Sequence, residues 1–247
     1  MEYLERIQRC RTEAELFEIW KMKVPLQTSY IDDGKVVPLT IDHSNVFVSD
    51  GVVNHDIWDN RSHGKHILYV LKEAYGGKED WSLSDSVRTD APWSAIWNRI
   101  VEWTYGISNT TAEKITRYSP DKINMDKPNV WLNQIAIVNL KKSGGKSNSR
   151  YPEISAYADC DAAELIKQIE IIDPEIIICG ATFGDLNRIS GSKSQKGSCD
   201  NWFYYSDAIG GKERLFIDYY HPANRYPALL NYYGLIGIYQ QALIEKL

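Results

Sequence analysis

Four short apolar runs constrain the fold more tightly than anything else in the chain. They are residues 66–71 (His-Ile-Leu-Tyr-Val-Leu), 134–140 (Gln-Ile-Ala-Ile-Val-Asn-Leu), 175–179 (Glu-Ile-Ile-Ile-Cys) and 214–219 (Arg-Leu-Phe-Ile-Asp-Tyr). Each is short, rich in β-branched or aromatic residues, and largely free of the polar alternation that marks a half-exposed strand. A strand apolar on both sides must be covered on both sides, as in a parallel sheet clad by helices. Helical patterns fall where that arrangement needs them, at 91–105, 152–172, 181–189 and 229–247; Ala162, Leu165, Ile166 and Ile169 form one stripe of the second. The chain therefore predicts an α/β fold, a three-layer αβα sandwich around a central four-stranded, mainly parallel sheet. Residues 202–206 read as an added strand.

The first 65 residues obey a different pattern. Leu4, Ile7, Leu16, Ile19 and Trp20 recur at helical spacing across 2–23, and Thr12 with Glu15 makes a capping box that divides the run. From 24 to 65 the pattern is irregular, with one short strand expected at 45–49. There is no internal repeat, low-complexity tract or linker. One domain over 1–247 is expected, with 1–65 as an amino-terminal extension.

Composition excludes several classes. With 43% hydrophobic and 25% charged residues the chain is neither disordered nor a coiled coil. No apolar run approaches the ~18 residues of a membrane span, so no membrane partner is expected. The charged opening Met1-Glu2-Tyr3-Leu4-Glu5 is unlike a signal peptide, and Cys10, Cys160, Cys179 and Cys199 form no Cys-x-x-Cys pair. A reduced, cytoplasmic monomer is the expectation. Two numbers pull in opposite directions. The net charge of −5 disfavours broad nucleic-acid coating, whereas eight Trp and sixteen Tyr suit a protein that stacks flat ligands.

Ligands of open parallel sheets bind beyond the carboxyl ends of the strands. Four loops qualify, carrying Glu73, Gly76 and Gly77; Asn139, Lys141, Lys142 and Arg150; Gly180; and His221, Pro222, Asn224 and Arg225. His221, at a strand end and followed by Pro, is held at the rim, where it can donate to a ligand oxygen or simply cap a turn. Asn139 offers a donor and an acceptor suited to a nucleobase edge, or it satisfies nearby backbone. Residues 141–150 hold four basic and no acidic residues, so they can wrap a phosphate backbone or form a solvated loop. They do not match Gly-x-x-x-x-Gly-Lys-Ser/Thr, which excludes a nucleotide triphosphatase of that type. Trp97, Ile96 and Ile100 fall at core spacing, leaving Trp93 as the aromatic best placed to face a cleft. His55, Asp56, His63 and His66 lack metal-ligand spacing, and no metal is expected.

In order along the chain, these residues resemble the uracil-DNA glycosylase superfamily, closest to its iron–sulfur-containing branch. Leu71-Lys72-Glu73-Ala74-Tyr75-Gly76 is similar to that branch's first motif, a strand followed by Gly-Glu-Ala-Pro-Gly. Val138-Asn139-Leu140-Lys141-Lys142, leading to Ser149-Arg150-Tyr151-Pro152, resembles its second region. Asp173-Pro174-Glu175 with the strand to Gly180 continues it, and His221-Pro222-Ala223 resembles its last motif. Tyr75 replaces the motif's Pro, and Ala74 stands where classical uracil enzymes carry a water-positioning Asp. Of the four cluster cysteines only Cys160 has a counterpart, Ser143 standing at the loop position, so no cofactor is expected.

The resemblance implies a DNA repair hydrolase that cleaves the N-glycosidic bond of a flipped, uracil-like damaged base. His221 and Glu73 would be catalytic. Asn139, Trp93, Ala74 and Tyr75 would contact the base. Lys142, Ser143, Arg150, Asn224 and Arg225 would contact single- or double-stranded DNA. Two alternatives share the fold: a nucleic-acid- or nucleotide-binding protein without excision, and a hydrolase of free nucleosides or nucleotides.

Overall fold

A computed structural model of the chain describes residues 2–60, 64–77, 79–90, 94–119, 130–191, 195–196 and 202–246. The four apolar runs become β5 (Ile67–Tyr75), β7 (Ile135–Gly145), β8 (Ile176–Gly180) and β11 (Arg214–Tyr219). They lie side by side in the order β7-β5-β8-β11, all parallel, with Ile67 opposite both Ile135 and Ile176. The sheet is wider than the four strands expected. β4 (Gly51–Val52) adds antiparallel to β7, and β10 (Phe203–Ser206) and β9 (Gln195–Lys196) extend the β11 edge antiparallel. Among the described residues the sheet thus has seven strands, of which β10 corresponds to the added strand expected at 202–206. Two of the additions are two-residue strands, too short to leave a hydrophobic period in sequence.

Successive strand residues feed opposite layers, as the pleat requires. Ile67, Tyr69, Ile137, Ile178 and Ile217 pack with Trp103, Leu235 and Ile236 of α5 (Ala95–Asn109) and α9 (Ala228–Glu245). Leu68, Val70, Val138, Ile177 and Phe216 pack on the other face with Ile7, Leu16, Trp20, Leu165 and Ile169. Those residues come from α1 (Glu2–Arg9), α2 (Glu13–Lys21) and α7 (Ala162–Ile172). Helices therefore cover both faces of a mostly parallel sheet. Residues 2–52 are part of that body, since α1 and α2 pack on α7 and β4 extends the sheet.

Local chemistry explains the boundaries. The Thr12 hydroxyl accepts from the Glu15 N–H at 3.2 Å and the Glu15 carboxylate accepts from the Thr12 N–H at 3.3 Å, so the first helical run is divided where the capping box predicts. The single helix expected over 152–172 is instead two, α6 (Tyr151–Cys160) and α7. The break falls at Asp161, a fully buried carboxylate that accepts from Lys23 at 3.0 Å and bonds His43 at 3.0 Å. The segment 24–65 is more regular than its punctuation suggests. β1 (Leu26–Asp32) and β2 (Lys35–Ile41) pair antiparallel through Asp33-Gly34, whose positive φ values of 48° and 75° suit a two-residue hairpin turn. The strand expected at 45–49 shrinks to β3 (Val48–Ser49), which pairs with β6 (Trp81–Ser82). Two helices in between had no expectation, α3 (His55–Trp58) and α4 (Leu83–Asp90); α8 (Phe183–Ser190) follows β8. Among the described residues no helix is long and apolar enough to cross a membrane.

Candidate functional site at the carboxyl end of the sheet

The loops after β5, β8 and β11 are drawn together by small residues and backbone bonds. Gly180 ends β8 so close to its neighbours that a Cβ there would lie 2.8 Å from Leu71 Cδ2 and 3.3 Å from Pro222 Cδ. The bare backbone lets Pro222, and with it His221, settle against the end of β5. Ala181 then takes a left-handed conformation (φ 56°), its N–H donating to Tyr219 O at 2.7 Å, and the Thr182 hydroxyl donates to Val70 O at 2.8 Å.

His221 is half-buried in this junction. Its Nδ1 accepts from the Ala223 N–H at 3.1 Å, which leaves the proton of the neutral ring on Nε2. Burial, with the nearby Lys72 ammonium, lowers its pKa to about 4. The ring is therefore neutral at physiological pH and presents one N–H donor without a protein acceptor among the described residues. Lys72 lies 5.8 Å from the Tyr151 ring centroid and has no carboxylate partner among those residues. On β11, burial alone raises the Asp218 carboxyl to about 6.

The loop carrying His221 is tied together by Asn224. Its Oδ1 accepts from Arg99 at 3.3 Å, Asn231 at 2.5 Å and the Tyr226 N–H at 3.0 Å, while its Nδ2 donates to His221 O at 2.8 Å. Asn224, expected as a phosphate contact, thus also serves as a structural clamp. Arg225 beside it is exposed.

The other expected residues have different employments. Asn139 is 2% exposed; its N–H and Nδ2 donate to Asp50 Oδ2 at 2.7 and 3.2 Å, so the reading in which it satisfies neighbouring groups describes it better than an open base reader. Glu73 is ion-paired with Lys141 at 3.0 Å, and Lys141 also meets Glu153 at 2.7 Å. Ala74 is buried and Tyr75 exposed. Trp93 lies outside the described residues. The Ser143 hydroxyl bonds the Tyr157 hydroxyl at 3.1 Å.

The basic loop is the clearest correction. Lys142 is 0% exposed and paired with Asp50; Lys141 and Lys146 share Glu153; Arg150 is paired with Asp32. All four positive charges have carboxylate partners; Glu153 is near in sequence, but Asp32, Asp50 and Glu73 come from distant positions, which local composition cannot show. Lys142 cannot reach a phosphate, and the positive lip is internally neutralised. Asp50, which had no expectation, is the hub: Gln168 Nε2 also donates to its Oδ1 at 3.0 Å.

An iron–sulfur cluster does not fit. Cys160 is a free thiol, Ser143 is engaged with Tyr157, and among the described residues no group of three His, Cys, Asp or Glu side chains is arranged to hold a metal ion. The chain matches no known protein-family model and no curated protein sequence.

Proposed function

We propose that the chain is an N-glycosidic hydrolase acting on a uracil-like base in DNA, built on a uracil-DNA glycosylase-like sandwich whose four-stranded sheet corresponds to β7-β5-β8-β11. The observation that carries this reading is His221, neutral, fixed through Nδ1, and offering an Nε2–H beyond the end of β11. Breaking the glycosidic bond leaves negative charge on a base oxygen and positive charge on the sugar. A neutral, preorganised N–H donor stabilises that oxygen without first giving up a proton. Glu73 and Glu153 are balanced by Lys141 and Lys146, so the developing positive charge on the sugar has no net opposing positive charge from this cluster. In this reading Asn139 and Glu73 act as positioning residues rather than direct contacts.

A binding protein without excision is the second reading. The Asn139–Asp50 bond and the burial of Lys142 favour it, because they remove a base reader and a phosphate contact.

The test measures base release from uracil-, hypoxanthine- and xanthine-containing oligonucleotides, single- and double-stranded. Wild type should release at least one of these bases, and His221→Ala should lower the rate about 100- to 1,000-fold. Binding with no release of any base would replace the hydrolase by the second reading; turnover of free nucleosides alone would move the substrate from DNA to the free compound.

A further inference from the structure

Beside the His221 loop, on the α5/α9 side of the sheet, lies a concavity. It holds about 300 Å³ and is lined by Trp202, Tyr219, Tyr220, Tyr226, Asn231 and Gly234. Its four rings meet edge to face or tilted, with centroids 5.6 Å apart for Trp202–Tyr220 and 5.2 Å for Tyr219–Tyr220, both edge to face, and 4.9 Å for the tilted Tyr220–Tyr226 pair. Tyr226 is 53% exposed, and Leu230 on the rim is 67% exposed. The cavity depends on the missing side chain of Gly234, where a Cβ would lie 2.4 Å from the Tyr219 hydroxyl oxygen.

One polar group among the lining residues has no partner. Asn231 is 2% exposed and its Nδ2 is given to Asn224, but its Oδ1 is buried without a hydrogen bond among the described residues. A buried, unsatisfied acceptor costs stability, and Asn231 Oδ1 lies just beneath the lining of the cavity. The aromatic walls, with the exposed cation Arg225 next to Tyr226 in sequence, match the chemistry of a nucleobase with its phosphate.

We propose that this concavity is a stacking subsite for an unpaired base of a single-stranded nucleic acid, lying beside the base handled at His221. The proposal rests on the reading of the His221 site as one that acts on DNA, and it names the form of that substrate. A duplex cannot enter, because its bases are stacked and only their edges are presented. Stacking on tyrosine tolerates every base, so affinity should depend weakly on sequence and fall with salt.

The probe is a fluorescent 20-nucleotide oligothymidylate, compared with its duplex with oligodeoxyadenylate by anisotropy. Wild type should bind the single strand at least tenfold more tightly. Tyr220→Ala and Tyr226→Ala should each weaken single-strand binding about 5- to 150-fold. Leu230→Glu, at an exposed rim position that cannot unfold the core, should weaken it at least fivefold and keeps the test valid if a tyrosine variant misfolds. Equal binding by Leu230→Glu and the folded tyrosine variants overturns the subsite, as does equal affinity of wild type for duplex, or no single-strand binding at all, the result expected if the cavity receives a protein side chain. Base release is measured on the same proteins. Loss of strand binding in these variants, with no base release by wild type, removes the hydrolase reading and leaves the subsite standing. Unchanged strand binding with active wild type removes the subsite alone.

Discussion

Asp50→Ala tests the buried polar hub directly. In the wild type the Asp50 carboxylate accepts from the Asn139 N–H at 2.7 Å, Asn139 Nδ2 at 3.2 Å and Gln168 Nε2 at 3.0 Å, and it is the ion-pair partner of Lys142, which is fully buried. Removing it leaves a buried ammonium with the Trp20 ring, 5.3 Å from its centroid, and the more remote Glu13 and Asp161 carboxyls. Breaking a buried pair from one side costs about 3–5 kcal/mol, and orphaning a buried backbone N–H adds about 1–3 kcal/mol. That sum approaches the whole stability of an ordinary domain, about 5–15 kcal/mol. For a chain this long it corresponds to a fall in Tm of at least about 8 °C. Burial already pushes the Lys142 ammonium below its usual pKa, so part of the loss should be recovered in alkaline buffer, where the orphaned amine sheds its proton. The assay is thermal and urea denaturation followed by circular dichroism on Asp50→Ala, Lys142→Met and the double variant. The double variant should be more stable than the sum of the two single losses predicts, because neither variant charge is then left alone. An Asp50→Ala protein with the wild-type Tm, or strictly additive losses, would refute the reasoning.

Two further expectations concern a buried carboxyl beside Asp50 and the glycines of β7 and α9. Burial raises the Glu13 carboxyl to about 7, from the ordinary 4.5. Below pH 4.5 folded and unfolded chains both hold the proton, and as pH rises to 7 the unfolded chain loses it first. Wild-type stability should therefore fall relative to Glu13→Gln across that window, by at most about 3 kcal/mol, and parallel urea-denaturation profiles of the two proteins would contradict it. At Gly145 a Cβ would lie 2.4 Å from Ala74 O and 2.8 Å from Glu73 Cγ, whereas at Gly237 it would meet nothing within 4 Å. Gly145→Ala should cost about 1–3 kcal/mol by prising β5 from β7, and Gly237→Ala should be neutral or mildly stabilising; equal urea midpoints would show that the strand ends have more room.

The layers of this fold are legible in sequence because the information is local. Runs such as Ile176-Ile177-Ile178 state their burial on both sides, and Thr12 with Glu15 states where a helix begins. The β1–β2 hairpin is local too, since Asp33-Gly34 between two extended runs is a turn signal, but the surrounding Pro and Asn punctuation hides it and the segment reads as irregular. The site is less legible for a different reason. A basic residue at 142 reads as a surface charge until Asp50 is known to lie against it, and no spacing rule connects positions 92 residues apart. The same holds for Asn139, whose partner is again Asp50. Tyr220 and Tyr226, by contrast, flank the His221 motif and could have been read as aromatic walls from their density alone.

The position of β5 has a consequence for how the protein is made. It is the first of the parallel strands to leave the ribosome, yet both of its neighbours, β7 and β8, come later in the chain. At about 5–20 residues per second, several seconds pass before Ile135 emerges to pair with Ile67. During that interval Ile67, Leu68, Tyr69, Val70 and Leu71, which the finished sheet buries on both sides, have no partner strand. Synthesis rate and chaperone supply, rather than the stability of the completed sheet, are then expected to limit the yield of native protein.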